Sequence, residues 1–241
     1  YKKVADYWFA QGVNRLCFHD TALQPLDTKP GNTMAGTNLN RNMTWAELAK
    51  PFMTYIARVS YMLQQGDPVA DIAYLLPQGA PSTMPFWGDG LQPAPSQGYD
   101  YDVLNTDILL HHTSVTPDGH IHVDGSPEMP DGVTYRLLVL PPTTLMTPEV
   151  LEKLHSLVAD GATIVGPRPT RSPSLRDYPE ADNEVHSLAL DLWGSMDGVT
   201  LDEHAFGKGM TYWGLTLNEV LHRLNTPPDF AATKPVNAPP V

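Results

Sequence analysis

The chain has 241 residues, with 15 basic against 27 acidic side chains and a formal net charge of −12. No basic block interrupts that balance, which argues against nucleic acid or an anionic membrane surface as a partner, and no apolar run is long enough to span a bilayer. The single cysteine excludes an internal disulfide, and 24 prolines, about twice the average usage, point to long ordered loops.

The chain opens at Tyr1 directly into a helical pattern, and the expectation is a piece of a longer protein. Val4, Ala5, Trp8 and Phe9 share a helical face, and Gly12 ends the helix. Val13 to Phe18 then reads as a strand, with His19 and Asp20 at its C-terminal end. That is the end at which a (β/α) barrel places ligand-contacting groups. A histidine bonded to a neighbouring loop fits the same pattern equally well. Residues 21–43 are rich in Gly, Pro, Asn and Thr. Gln24, Asn38, Asn40 and Arg41 there are suited either to sugar hydroxyls or to the loop's own backbone. Thr44 and Glu47 have the spacing of a capping box for a helix running to Gly66. Its expected buried stripe is Phe52, Tyr55, Ile56, Val59, Met62 and Leu63, and Pro51 should kink or divide it. A domain boundary is placed near Gly66.

Val69 to Leu76 reads as the first strand of a second domain. The proline-punctuated loop 77–98 carries Phe86 and Trp87, either as an aromatic arm that stacks on a sugar ring or as an anchor that pins the loop. A short helix is expected from about Val103. Asp100, Asp102, Asn105 and Asp107 lack the glycine of an EF-hand calcium loop. His120 to Val123 reads as a strand with His120 and His122 on one side, too few ligands for a zinc site. Leu137 to Leu140 is a continuous apolar run, as in a strand covered on both faces. Thr147 and Pro148 start a helix whose stripe is Val150, Leu151, Leu154, Leu157 and Val158, and Gly161 stops it. Ala162 to Val165 is a second strand. Strand, crossover helix and strand imply a parallel pair in an open α/β sheet. The turn between them, Pro141 to Thr144, offers prolines where a phosphate-binding turn needs glycines, and no nucleophile elbow follows any strand, so no nucleotide cofactor is expected. A helix over 181–193, a turn at Gly207 to Gly209, a strand from Met210 to Trp213 and a helix from Leu215 complete the domain. Residues 226–241 read as an extended linker or tail.

A series of ordered blocks carries a resemblance: KKVADYWFAQGVNRLCFH, ALQP, DTKPGNTM, TWAELAKPFMTYIARVSYMLQQG, VADIAYLLPQGAPSTMPFWGDGLQPAPSQGYDYD, YRLLVLP with MTPEVLEKL, GATIVGPRPTRSPSL and AFGKG. With these the chain resembles glycoside hydrolase family 106, the α-L-rhamnosidases. The resemblance implies an α/β protein in which the end of a (β/α)8 barrel (1–65) precedes an open, mostly parallel, flavodoxin-like sheet domain similar to class I glutamine amidotransferases (66–225), then the tail 226–241. It implies inverting hydrolysis of terminal α-L-rhamnose from plant-derived rhamnosides, calcium as a cofactor, and a periplasmic or extracellular location. His19, Asp20, Gln24 and Trp87 are the implied substrate-binding residues. Where the family pattern has a second histidine before Gln24–Pro25, this chain has Leu23, and AGTNLNRN replaces a glycine- and aromatic-rich stretch.

Inverting hydrolysis needs an acid and a base about 6.5–9.5 Å apart. The only glutamate among residues 1–65 is Glu47, which capping explains. The resemblance implies that the family's catalytic glutamates lie on earlier barrel strands, upstream of Tyr1, and the chain alone is expected to be inactive. A β-galactosidase-like hydrolase with the same two-domain arrangement, and a non-catalytic sugar-binding or assembly module, are the rival readings.

Overall fold

The computed structural model describes residues 1–19, 43–79, 91–127 and 129–231. The chain divides into two compact units, residues 1–66 and 67–241.

The first unit is helical. Helix α1 spans Lys2–Ala10, and a short 3-10 turn at Glu47–Ala49 leads into α2, Lys50–Leu63. Pro51 lies in the first turn of α2, where a missing N–H costs nothing; the proline divides the expected long helix. The capping box at Thr44 does not form, because Ala46 and Ala49 occupy the cap positions and neither contributes a side-chain bond. Ala5, Phe9 and Ile56 are the buried centre, with Leu16, Phe18, Phe52, Tyr55 and Val59 packed on it. Lys2 bridges the helices: its Nζ is 2.6 Å from Asp6 and 4.3 Å from the centre of the Tyr55 ring, while the Tyr55 hydroxyl donates to Asp6.

Two expectations for this unit are corrected. Val4 is 60% exposed, and Met62 and Leu63 are 67% and 46% exposed, so the buried stripes are narrower than the periodicity suggests. Residues 13–19 form no strand, since among the described residues no segment pairs with them in a sheet. Gln64 Nε2 instead holds the Asn14 carbonyl at 3.0 Å.

The second unit is built on a six-stranded sheet. Its strands are β1 (Ile72–Leu75), β2 (Tyr101–Leu104), β6 (Leu137–Val139), β7 (Thr163–Val165), β8 (Glu203–Phe206) and β9 (Gly209–Tyr212), in the order β2-β1-β6-β7-β9-β8. All pairs are parallel except β8 with β9. Without its antiparallel edge strand the order is that of a flavodoxin-like doubly wound sheet. Tyr101 to Leu104 is a strand where a turn leading into a helix from about Val103 was expected. The helix α3 starts only at Thr106 and runs to His111, after Asn105 accepts a hydrogen bond from Ile108 N at 2.9 Å. The asparagine cap, rather than the apolar spacing, decides that boundary. A separate antiparallel sheet, β3 (Thr113–Val115), β4 (Ile121–Val123) and β5 (Val133–Tyr135), inserts before β6. Among the described residues no barrel is closed.

Alternation along the buried strands feeds two cores. Ala73, Leu75, Leu138 and Ile164 face α4 (Pro148–Asp160) and α5 (Glu180–Trp193). Ile72, Tyr74, Leu137, Val139 and Val165 face α6 (Leu217–Arg223), which Thr216 and Glu219 close with a capping box. Both faces are covered, so the strands read as unbroken apolar runs rather than as alternating ones. Trp193 is fully buried and its indole N–H donates to the Gly166 carbonyl at 3.0 Å.

Thr211 on β9 is fully buried and its hydroxyl has no partner among the described residues. Leaving a donor unmade in the interior costs about 1–3 kcal/mol. Thr211→Val removes the hydroxyl and keeps the shape. It is expected to stabilise the second unit by about 1 kcal/mol, read as a higher denaturation midpoint at unchanged m-value. A lower midpoint would show that the hydroxyl is engaged.

Candidate functional site: the C-terminal edge of the parallel sheet

In a doubly wound sheet, ligands bind outside the carboxyl ends of the strands, where the strand order reverses. Here that edge is formed by the segments leaving β1, β6, β7 and β9. After β1, Gln78 reaches the start of α4: Thr147 N donates to its Oε1 at 2.8 Å, and its Nε2 donates to the Thr147 hydroxyl at 3.0 Å. The Thr147 side chain therefore caps no amide of its own helix. The helix start is thus met by a neutral amide.

Beside this contact lies a crevice of about 400 Å³, floored by Leu140, Val165 and Gly166 and walled by Trp213, Gln92 and Thr144, with prolines between. Among the described residues no charged side chain lines it. Its walls are fixed from behind. The Tyr74 hydroxyl donates to the Pro93 carbonyl at 2.8 Å. Gly198 (φ +70°) backs the indole: a β-carbon there would fall 2.8 Å from Cε2 of Trp213. Gly214 (φ +87°) comes directly after the indole, and a β-carbon on it would collide with the Gly198 carbonyl. The loop carrying Gly198 is held by Asp197, whose carboxylate accepts the amides of Val199, Thr200 and Leu201 at 2.8–2.9 Å. Those bonds hold its pKa well below the usual carboxylate value. Among the described residues the polar groups of the crevice are neutral amides, hydroxyls and an indole.

A second cleft, about 290 Å³, lies between the starts of α4 and α5 and is lined by Glu149, Glu152, Glu184, Asp177 and Arg176. Arg176 Nη1 stands 3.5 Å from Glu149. Among the described residues no three His, Cys, Asp or Glu side chains are grouped to hold a metal ion. Asp71, next to β1, is nearly buried and takes the Arg136 Nε–H at 2.9 Å. Burial and the neighbouring Asp229 push its pKa up against the pull of Arg136. This is a structural pair at the opposite end of the strands.

Of the residues singled out by sequence, His19 is exposed at the end of residues 13–19 in the first unit. Asp20, Gln24 and Trp87 lie outside the described residues. His120 and His122 stand on β4 and its approach, each with its own neighbour: Asp118 is 3.0 Å from His120, and the Thr134 hydroxyl is 3.5 Å from His122. Asp102 accepts the Tyr135 hydroxyl at 3.0 Å. Sequence reasoning missed the crevice itself. Trp213 was readable as the residue that leaves a strand just before a glycine, which is the signal for a side chain at a sheet's carboxyl edge.

The comparisons with known proteins bear on both units. The family model for alpha-L-rhamnosidases, glycoside hydrolase family 106, matches residues 1–239. A rhamnosidase structure from Novosphingobium sp. PP1Y is similar at 31% identity and a TM-score of 0.78, over 97% of this chain and 21% of that one. A Formosa agariphila protein named "Putative beta-glucuronidase" is 38% identical over 196 residues, which is 80% of this chain and 16% of that protein. The chain thus spans about a fifth or less of the length of these relatives. A family match from one end to the other, with a solved rhamnosidase of the same fold, makes this chain a member of glycoside hydrolase family 106.

Proposed function

We propose that the chain is the closing segment of a (β/α)8 barrel, followed by a catalytically silent amidotransferase-like domain, within a larger inverting α-L-rhamnosidase acting on plant-derived rhamnosides. The family match over residues 1–239 carries this reading. Two observations support it. Tyr7, Leu48, Tyr61 and Met62 in the first unit are each more than half exposed, an apolar surface that neighbouring barrel elements would cover. Among the described residues the crevice at the carboxyl edge of the sheet in the second unit is lined by no Cys or Ser.

In this reading residues 13–18 become the last barrel strand only when the preceding strands of the parent pair with them, with His19, Asp20 and Gln24 toward the sugar; Trp87, in the other unit, is proposed separately as a stacking face. The catalytic acid and base come from barrel strands that precede Tyr1. The family also implies calcium; the described residues contain no cluster of acidic or histidine side chains that fits such an ion.

The test is hydrolysis. The 241-residue chain alone is expected to release no aryl group from an aryl α-L-rhamnoside, while a parent protein with the complete barrel does so. Turnover by the isolated chain would overturn the placement of the catalytic pair. The Formosa relative's name favours a second substrate class. A parent that cleaves an aryl β-D-glucuronide and leaves the rhamnoside intact would decide for it.

A further inference from the structure

We propose that the crevice at the carboxyl edge of the six-stranded sheet is a second carbohydrate-binding site, one that takes a neutral pyranose against the indole of Trp213. The argument rests on the crevice alone and does not require that the chain belong to an active hydrolase.

Charge narrows the ligand first. Among the described residues no Lys, Arg, His, Asp or Glu stands on its walls, so these walls offer no counter-ion to a phosphate, a uronate or an ammonium group. Burying any of these unpaired would be costly. Shape narrows it next. Leu140 and Val165 form a buried apolar floor, and Trp213 is a half-buried aromatic wall pinned from behind by Gly198. A flat, partly apolar ring fits between them, and about 400 Å³ falls within the range of roughly 300–1,000 Å³ usual for small-molecule sites.

Polarity completes the assignment. Among the described residues, the Gln92 amide, the Thr144 hydroxyl and the Trp213 indole N–H take part in no hydrogen bond, although all three line the crevice. The Gln92 amide supplies two donors and an acceptor, the hydroxyl either role, and the indole one donor. That inventory matches a ring whose rim is hydroxyl groups and whose face is C–H. A purely apolar ligand would leave the three groups unpaired. The site is also prebuilt. Glycines at 198 and 214 and the Tyr74–Pro93 bond set its walls before any ligand arrives, which lowers the ordering cost of binding.

L-rhamnose is the probe, a neutral deoxy-pyranose that a hydrolase cannot cleave, with D-glucuronate as the charged comparison. The intact 241-residue chain is titrated by ligand-observed and ¹H–¹⁵N NMR. Saturable rhamnose binding is expected with a Kd on the order of 1–10 mM, with shifts concentrated at the Trp213 indole N–H. Glucuronate should bind at least tenfold more weakly. Trp213→Ala should weaken rhamnose binding at least tenfold. Since Trp213 also packs on the core, Thr144→Phe is the second variant: position 144 is exposed, so the new ring fills the crevice without disturbing the fold. It too should weaken binding at least tenfold while near-UV circular dichroism stays unchanged. Absence of saturable binding, unchanged affinity in Thr144→Phe, or glucuronate binding as tightly as rhamnose would each overturn the proposal. None of these outcomes depends on rhamnoside hydrolysis by the parent protein, so the two readings fail separately.

Discussion

Trp193→Ala is expected to destabilise the second unit by about 3–5 kcal/mol, the largest effect of any single substitution considered. Trp193 has no exposed surface and is the largest fully buried side chain of the core between the sheet and α4 and α5. Its removal leaves a cavity that a close-packed interior closes only in part. It also strips the Gly166 carbonyl of the donor that now lies 3.0 Å away. Domains of this kind have about 5–15 kcal/mol of stability in all, so the variant should sit near its unfolding threshold. Amide exchange of β6 and β7 reports on this directly: protection there should fall by at least two orders of magnitude. Trp193→Phe separates the two causes, since it keeps most of the volume and loses the indole donor. A Trp193→Ala protein with near-native protection would mean that the indole is not the keystone of that core.

Gly209→Ala should cost roughly 2–3 kcal/mol, at the upper end for overpacking. A β-carbon at 209 would lie 2.3 Å from the Ala162 carbonyl oxygen and 2.4 Å from that of Val158. Both obstacles are backbone, so no rotamer change relieves the clash. The whole β8–β9 hairpin must lift off the end of α4, which threatens the bonds from Lys208 N to Ala159 O and from Met210 N to Ala162 O. Lys208→Ala is the control. It changes an exposed side chain between the two turn glycines and should alter stability by no more than about 0.5 kcal/mol. Urea denaturation of the pair gives the answer; equal midpoints for the two variants would show that the turn is not seated as described.

How far the fold was legible depends on which interactions are local. The unit from Leu137 to Val165 was readable because its apolar strands, its proline-started helix and its stop at Gly161 are each encoded within a few residues. The strand at Tyr101–Leu104 was not, because Tyr101 and Asp102 are polar enough to read as a turn. What makes the segment a strand is pairing with β1, about thirty residues away in sequence. The same holds for β8, an edge strand whose side chains are alternately exposed and half-buried and whose register is set by Tyr212 and Thr211 across the hairpin. Met62 and Leu63 were read as core because helical spacing shows which residues share a face, not whether another element covers it. For the site, His19 was singled out by its position at the end of Val13–Phe18, and it is exposed in the first unit and does not line the crevice. The crevice under Trp213 was not legible, because it is assembled from loops that meet only once the strand order is known.

The end of α4 carries a consequence for how this unit can change. Two turns close on it, Gly119 against the Gly161 backbone and Gly207 against Ala159, each approaching so near that a β-carbon would touch main chain. That rim admits neither insertions nor larger residues. The opposite rim is made of long proline-rich loops with a cleft between them. Novelty in this lineage therefore has one place to accumulate, and members that differ in what they recognise should differ above Leu140 and Val165 while sharing the same pair of tight glycine turns beneath.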